Sequence, residues 1–420
     1  MTRDNQRSRC TRRQGLKRIA AAAVVVTGST SSGPRDAVGA EPVGKPGPRG
    51  GLLVERLPHG GEIWQVTTER CEQSNIYTEI SYCTPDSKHF VYERTDAARR
   101  DNPTEFVAVE MGTWKQRSLG TAASLEGCTM TRDGWFYYVK RASGGDLELR
   151  RARPAGGPSE VLYRRKPGPW IETLGTVSPD GRCYAGMMRL DSQWKMFGIF
   201  LLDIAAGRET IIDRDPFIFN AHTQFEPGRG RWLMIQHNRG GSYEPDGKLR
   251  ALVGPEGATL YMLSVPDGKR TTLQVGTPFT TPATGHETWI GATEELLLSV
   301  VPGGEFTVEK GTLLAVGAGR PARVVARGYA FNHLGVSNCG RYFIADDWRA
   351  PCKLVAGSIR TGRTAVVCAS KASMRGPQNT HPHAYFSPDL KWVIYNSDRS
   401  GFPHIYAARL PEGLIESLDG

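Results

Sequence analysis

Four histidines occupy the same position of a repeated sequence motif, in four successive repeats. Each histidine precedes an apolar residue by three positions, and a turn sequence follows; the four are His222, His286, His333 and His383. A repeat fold superposes equivalent positions in space, so we expect the four imidazoles to converge on one place. Clustered imidazoles bind metal ions or transfer protons, and the pattern therefore predicts a chemical site.

The repeat itself is defined by a turn of the Pro-Asp-Gly kind. Proline sets one turn dihedral and Asp or Gly tolerates the next, so each turn joins two short strands. A strand-like apolar run and a second hairpin follow, which gives four strands per repeat. The seven copies start 47, 47, 48, 64, 47 and 50 residues apart. Their first residues are Cys83, Met130, Val177, Phe225, Trp289, Val336 and Phe386.

This period predicts an all-β fold, a seven-bladed β-propeller, over residues 61–420. Repeats of about 40 to 50 residues with four strands each are typical of propeller blades. The last repeat lacks an outer strand, and we expect residues 62–67 to supply it, which would remove an open sheet edge. The alternative is a long array of β-sandwiches, which the regular spacing disfavours.

The N-terminus predicts an export signal. Residues 1–40 place two adjacent arginines before an apolar stretch at 19–26, and a small-residue cleavage site ends at Ala40. This is the twin-arginine pattern, and it predicts a periplasmic or extracellular protein. The alternative is a basic tail before a chance apolar run. The stretch is about half the length of a membrane span. Residues 41–60, rich in Gly and Pro, are interpreted as a flexible linker.

The net charge and the cysteines exclude few classes of partner or structure. The formal net charge is +10, but residues 1–40 contribute eight Lys/Arg against two Asp/Glu, so the remainder is near +4. That charge does not single out nucleic acid as a partner, although a local basic cleft could receive an acidic substrate. Cys352 and Cys368 flank a predicted hairpin. A disulfide and a pair of buried thiols are both open there.

The densest group of candidate metal ligands lies in the last repeat. His381 and His383 are two positions apart, a spacing that normally points side chains to opposite faces of a strand, but the intervening proline can relax this. With His333 from the preceding repeat, three imidazoles become available, and Gln378 could add a carbonyl oxygen. Three nitrogens and one oxygen suit Mn, Fe, Zn or similar ions.

The fourth repeat is longer than its neighbours, and the extra length falls within residues 238–257. A loop between the second and third strands emerges on the face where the first strands begin. We therefore expect this loop, with Arg239, Lys248 and Arg250, to overhang the histidines. Long loops on rigid scaffolds often carry function, although a solvated decorative loop is the alternative.

The sequence resembles the oligogalacturonate lyases, seven-bladed propellers of pectin breakdown. The resemblance is strongest over residues 215–410 and mainly architectural over 60–214. It rests on segments that begin at Gly285 (Gly-His-Glu-Thr-Trp-Ile), Phe331 (Phe-Asn-His-Leu-Gly-Val-Ser-Asn), Gln378 (Gln-Asn-Thr-His-Pro-His) and Ser397 (Ser-Asp-Arg-Ser-Gly-Phe-Pro-His).

The resemblance implies roles for individual residues. The metal ligands would be His333, Gln378, His381 and His383, with Mn the expected ion. His286 would be the catalytic base near the scissile sugar. We assign substrate binding to His222, His237 and Trp289.

One segment departs from the family. Where the family has His-Glu-Gly-Pro, this chain has His237-Asn-Arg-Gly-Gly, and a family arginine falls near Leu260. We expect Arg239 or Arg250 to take over the arginine's role.

Two function hypotheses follow. The first is a metal-dependent lyase that cleaves oligogalacturonate or a related acidic oligosaccharide by β-elimination. The second is a noncatalytic exported propeller of the TolB type that binds a protein partner. A bound transition metal together with an unsaturated product would separate the two.

Overall fold

The computed structural model describes residues 51–420 except 78, 97–103, 122–127, 143–144, 167–174 and 256. The predicted signal at 1–40 lies outside these residues. The described chain is all-β, and its only helical segments are the 3-10 turns Gln378–Thr380 and Glu416–Leu418. None of the described residues forms a helix long and apolar enough to cross a membrane.

Seven sheets form the blades of a propeller, which confirms the predicted fold class. The chain enters through two strands, β1 (Leu52–Arg56) and β2 (Glu62–Gln65). Blade 1 comprises β3 (Glu72–Ser74), β4 (His89–Thr95), β5 (Thr104–Glu110) and β6 (Gln116–Thr121). Blade 2 comprises β7 (Thr129–Met130), β8 (Phe136–Arg141), β9 (Leu147–Ala152) and β10 (Glu160–Arg165). Blade 3 comprises β11 (Thr176–Val177), β12 (Cys183–Arg189), β13 (Phe197–Asp203) and β14 (Arg208–Asp215).

The remaining blades carry the four histidines of the repeat. Blade 4 comprises β15 (Gln224–Phe225), β16 (Trp232–His237), β19 (Thr259–Ser264) and β20 (Arg270–Thr272), with the ribbon β17 (Ser242–Tyr243) and β18 (Leu249–Ala251) inserted between β16 and β19. Blade 5 comprises β21 (Ala283–Trp289), β22 (Glu295–Val300), β23 (Leu313–Gly317) and β24 (Arg323–Ala326). Blade 6 comprises β25 (Phe331–Val336), β26 (Tyr342–Asp347), β27 (Lys353–Ser358) and β28 (Thr364–Ala369). Blade 7 comprises β29 (Tyr385–Phe386), β30 (Trp392–Ser397) and β31 (His404–Arg409), completed by β2 and β1.

Closure by an N-terminal strand is confirmed. Strand β2 pairs antiparallel with β31, so that Ile63 lies opposite Ala408. Strand β1 then pairs with β2 and makes blade 7 a five-stranded sheet. Residues 52–56 of β1 fall inside the segment 41–60 that the sequence analysis assigned to a linker, so the ordered sheet begins ahead of residue 61. Pairing the two chain ends in one sheet covers edges that would otherwise be open.

The predicted turns form as their sequences require. In each of four blades a Ser or Thr hydroxyl donates to the Asp carboxylate two residues later, at 2.5–2.6 Å. These pairs are Thr84–Asp86, Thr131–Asp133, Ser178–Asp180 and Ser387–Asp389. Such side-chain bonds hold the backbone in a tight reversal between strands.

Apolar side chains fill the space between neighbouring blades. At the seam where the ring closes, Trp114 of blade 1 meets Trp392 of blade 7 edge-on at 5.2 Å between ring centroids. Tyr82 and Tyr385 form a second edge-on pair there at 6.0 Å. Aromatic pairs of this geometry contribute about 0.5–1.5 kcal/mol each beyond the area they bury.

The two cysteines considered for a disulfide are free thiols. Cys352 and Cys368 are both buried and unbonded to each other. Burial raises the pKa of the Cys368 thiol to about 12, so the thiol is the stable form at neutral pH. Of the two interpretations left open by the sequence, buried thiols describe this structure.

Candidate metal centre and adjacent carboxylate cluster

The backbone leaves regular strand geometry at each of the four repeat histidines. His222 and His383, each just ahead of an inner strand, adopt φ of 47° and 44°. His286 and His333 lie where the pairing register of β21 and of β25 is interrupted. A left-handed φ is unfavourable for a residue with a Cβ, and an interrupted register re-aims the side chain. All four side chains are thereby turned from the regular pleat, and all four are buried.

Three imidazoles meet in what we call the histidine cluster: His333, His381 and His383. Their ligand atoms lie within 4.8 Å of one another. His381 Nδ1 is 3.2 Å from His333 Nε2. Two nitrogens bound to one ion through bonds of about 2.0–2.1 Å would be about 3.0–3.4 Å apart, so this spacing suits shared coordination. The left-handed backbone at His383 resolves the two-residue spacing, because it brings the His381 and His383 side chains to one place.

Unpaired buried atoms at the cluster fit a metal ion. Neither nitrogen of His383 has a hydrogen-bond partner among the described residues, although the residue is 1% exposed. The side-chain oxygen of Gln378 is likewise buried without a partner. Buried polar atoms are normally paired, since an unpaired one costs roughly 1–3 kcal/mol. Coordination of an ion would satisfy one nitrogen of His383, and Gln378 lies in the 3-10 turn Gln378–Thr380 directly before His381.

Asp346 orients His333 within the histidine cluster. Its carboxylate accepts the backbone N–H of His333 at 2.9 Å and lies 2.6 Å from His333 Nδ1. An imidazole that donates from Nδ1 to a carboxylate presents the lone pair of Nε2, which is the arrangement found behind metal-bound histidines. Burial lowers the pKa of His333 and of His383 well below the ordinary value. The imidazoles are therefore neutral, as metal ligands must be.

His286 adjoins the cluster without belonging to it. Its ring centroid is 4.3 Å from that of His333, and its Nδ1 is 3.4 Å from the hydroxyl of Tyr77. Tyr77 itself lies against His222 and His383, at 5.5 and 5.1 Å between ring centroids. Burial, followed by the charge on neighbouring imidazoles, lowers the pKa of His286 well below its usual range. The structure thus places a neutral imidazole beside the candidate metal centre.

His222 takes part in a second group, which we call the carboxylate cluster: Glu79, His222 and Glu287. Their ligand atoms lie within 4.8 Å of one another, and all three side chains are buried. His222 Nδ1 is 2.9 Å from Glu79 Oε1 and 3.6 Å from Glu287 Oε1. Burial alone would lower the pKa of His222, but the Glu79 carboxylate outweighs it and raises that pKa. Burial also raises the pKa of Glu287.

The other predicted substrate-binding residues lie in different surroundings. His237 ends β16, with Nε2 3.0 Å from Asp215 Oδ1. Trp289 is 4% exposed and packs in an apolar core between blades, where its indole N–H donates to Gln224 O at 3.1 Å. The indole of Trp289, predicted as a substrate contact, is therefore buried between blades with its N–H already paired.

The two predicted arginines flank the blade 4 ribbon. Arg239 is half-buried in the turn after β16, and its backbone carbonyl accepts from Gly254 at 2.7 Å. Arg250 is exposed on β18 and faces Glu244 at 4.0 Å. Leu260, at the position of the family's arginine, is buried in the core. Arg239 is thus the better anchored of the two cations.

Trp348 is a site residue that the sequence analysis did not identify. It is 45% exposed, whereas the other described tryptophans are buried or partly buried. Its ring centroid lies 6.1 Å from that of His333, nearly parallel to it, and 6.1 Å from that of His381. An exposed indole beside buried imidazoles offers an apolar face at the entrance to the cluster.

The fold and the histidine cluster together define a seven-bladed propeller with a candidate metal centre at one end of its channel. Solved structures share this fold. An oligogalacturonate lyase in complex with manganese has a TM-score of 0.66 and 17% identity, over 86% of this chain and 96% of that one. The oligogalacturonate lyase of Vibrio parahaemolyticus has a TM-score of 0.64 and 15% identity, over the same shares. The fold shared with these lyases is the one that the sequence resemblance predicted.

Comparisons by sequence add nothing to this. No family model matches the chain, and no curated protein matches it either.

Proposed function

We propose that this protein is a metal-dependent lyase that cleaves oligogalacturonate or a closely related uronide by β-elimination. The observation that carries the proposal is the histidine cluster with the imidazole of His286 beside it, 4.3 Å from that of His333 between ring centroids. Two structural neighbours are oligogalacturonate lyases, one of them bound to manganese. Mn is accordingly the ion we expect, with His333, His381, His383 and Gln378 as its ligands.

The reaction needs a base and a means of acidifying the substrate. The C5 proton of a uronate lies α to a carboxylate and is weakly acidic. A bound divalent cation supplies positive charge to that carboxylate and so stabilises the negative charge that develops as the proton leaves. His286 is neutral, and it is placed beside the cluster by the interrupted register of β21.

His286 would take the C5 proton. The Tyr77 hydroxyl lies 3.4 Å from His286 Nδ1. In the tautomer whose Nδ1–H donates to this hydroxyl, Nε2 would carry the lone pair that takes the proton. As the C5–H bond breaks, its electron pair forms the C4–C5 double bond and the C4–O bond to the neighbouring sugar breaks. The departing oxygen takes up a proton from the imidazolium or from water. The products are a shortened oligosaccharide and a 4,5-unsaturated uronide.

Substrate contacts would come from both sides of the cluster. Trp348 presents an exposed ring face on which a sugar can stack. Arg239, on the ribbon side, would pair with a flanking uronate carboxylate, and we propose Arg250 for a more distal carboxylate. His237 completes the proposed lining of the binding groove, whereas His222, predicted as a substrate contact, is buried against Glu79 and Glu287 and is not part of this proposal. An acidic oligosaccharide is therefore the expected partner, in place of nucleic acid.

The experiment is a lyase assay on a panel of uronides. The chelator-treated protein is incubated with tri-galacturonate, alginate and glucuronan oligomers, with and without Mn²⁺, and the ultraviolet absorbance of the conjugated product is followed. We expect absorbance to rise with galacturonate oligomers only when Mn²⁺ is present. No rise with any uronide would favour the noncatalytic propeller that binds a protein partner.

We also propose export by the twin-arginine pathway to the periplasm or beyond. The sequence motif within residues 1–40 supports this proposal. N-terminal sequencing of protein recovered from the producing cells should find a mature chain that starts directly after Ala40. A chain recovered from the cytoplasm with its first residues intact would contradict export.

A further inference from the structure

We propose that the carboxylate cluster of Glu79, His222 and Glu287 is a second divalent-cation site, on the far side of Tyr77 from the histidine cluster. The proposal concerns metal binding alone, so it does not depend on lyase activity. Its first support is geometric. His222 Nδ1 lies 2.9 Å from Glu79 Oε1 and 3.6 Å from Glu287 Oε1. Two ligand atoms bound to one ion through bonds of about 2.1 Å are separated by a distance between these two values.

The second support is an unpaired buried carboxylate. Glu287 is 0% exposed, and neither of its carboxylate oxygens has a hydrogen-bond partner among the described residues. An ionised carboxylate in such a place is costly unless a cation or a proton neutralises it. One of its oxygens faces the imidazole of His222, so the unpaired group points into the cluster.

The third support is a frame that holds the other ligands in place. Gln224 Nε2 donates to Glu79 Oε2 at 2.7 Å and to the Glu287 backbone carbonyl at 2.8 Å. Because both partners are acceptors, the side-chain atom that faces them is the amide nitrogen of Gln224. The buried Gln224 Oε1 is left without a partner and is available as a fourth metal ligand. Thr288 Oγ1 donates to the backbone carbonyl of Glu79 at 2.5 Å. Three blades thus contribute to one rigid set of ligands.

Charge favours a divalent ion at this cluster. A divalent cation would displace protons from the cluster, and the two carboxylates and the neutral imidazole that then bind it would carry a charge of −2 that the ion cancels. One imidazole nitrogen and three oxygens form a donor set that Mn²⁺ and Zn²⁺ accept. A channel cavity of about 200 Å³ is lined by Glu79 and Gln224 and extends to Pro85 and Pro179 of the blade turns. An ion could therefore reach the cluster from the end of the channel opposite the histidines.

Metal counting tests the proposal. The full chain is stripped with chelator, loaded with excess Mn²⁺ and freed of unbound metal, and bound Mn per chain is measured by mass spectrometry. We expect two equivalents in the wild type and one in Glu287→Gln, which keeps the side-chain shape. His381→Ala should also retain one equivalent, and the double variant none.

A matched control is Glu148→Gln. Glu148 is a buried glutamate of blade 2 that pairs with Arg150, away from both clusters, so this variant should keep two equivalents. Glu79→Gln provides a second test if Glu287→Gln does not fold. One equivalent in the wild type that persists in Glu287→Gln and Glu79→Gln would overturn the proposal, because the carboxylates then hold a proton. One equivalent that only the carboxylate variants remove would uphold this site and contradict the histidine site of the proposed lyase.

Discussion

The two clusters at the histidine end of the channel are alike in construction and differ in the chemical type of their ligands. Both are buried, and both bring three ligand atoms within 4.8 Å through a histidine with a left-handed backbone, His383 in one and His222 in the other. The histidine cluster offers neutral imidazoles whose pKa burial lowers. The carboxylate cluster offers two acids, and its histidine has a raised pKa because Glu79 faces it.

This difference separates a cation that can act on substrate from one that cannot. Neutral ligands leave the charge of a bound ion available to a substrate carboxylate, whereas two carboxylates cancel it. Within the described part of the chain, the histidine cluster is the one with an exposed aromatic neighbour, Trp348, and a further imidazole beside it, His286. We therefore place the chemistry at the histidine cluster and a structural ion at the carboxylate cluster.

Removing a ligand from the histidine cluster should have the largest effect. His381→Ala deletes one of three imidazoles, so we expect loss of one Mn equivalent and loss of detectable lyase activity, measured by metal analysis and product absorbance. His404→Ala is the control, because His404 is a buried histidine that bonds Gln73 and Thr67 outside both clusters. Full activity in a His381→Ala protein that has lost one Mn equivalent would contradict placing the chemistry at the histidine cluster.

Removing the base should leave the metal in place. His286→Ala should lower kcat by roughly two to four orders of magnitude, which is the usual contribution of a positioned acid–base group. Its Mn content should match the wild type because the ligands are untouched. Loss of one Mn equivalent would instead make His286 a ligand, and an unchanged kcat would move the base elsewhere.

Replacing Asp346, which contacts His333, should weaken metal binding less than removing a metal ligand does. Asp346→Asn keeps the shape of the side chain but removes the charge that holds the Nδ1 proton of His333. We expect Mn²⁺ affinity to fall about 10- to 100-fold, as for other supporting residues of metal-bound histidines. Calorimetric titration of the chelator-treated variant measures this. An unchanged dissociation constant would mean that Asp346 only stabilises the strand pair.

The smallest effect is expected at the entrance. Trp348→Ala removes an exposed ring face, which should contribute on the order of 1 kcal/mol to sugar binding. KM for galacturonate oligomers should then rise about fivefold with kcat nearly unchanged. Trp348→Phe, which retains a ring, should recover most of the affinity. A fall in kcat without a change in KM would argue against a stacking role.

The sequence was sufficient to predict the propeller because the information was local and repeated. Four of the seven turns carry their own Ser or Thr and Asp. The regular spacing of all seven turns counts the blades. The same periodicity brought His333 and His383 into one prediction, and the short spacing added His381. Sheet closure followed from an incomplete last repeat and an unassigned strand near Ile63.

The partners of those histidines could not be predicted in the same way. Asp346 reaches His333 across an interrupted strand pairing, and a one-residue shift in register is invisible in the sequence. Glu79 lies in an irregular segment outside the repeat pattern. Trp348 directly follows β26, and no periodicity in the sequence indicates that its ring is exposed there. The nearest available hint was the polar pair Asp346–Asp347 at the end of an apolar strand.

The central claim is that His333, His381 and His383 hold one divalent ion. Crystals of the full mature chain soaked in Mn²⁺ and measured at the manganese absorption edge test it directly. We predict an anomalous peak about 2.0–2.3 Å from the three imidazole nitrogens, with a second peak at Glu79, His222 and Glu287. A map with no peak among the three histidines would contradict the account.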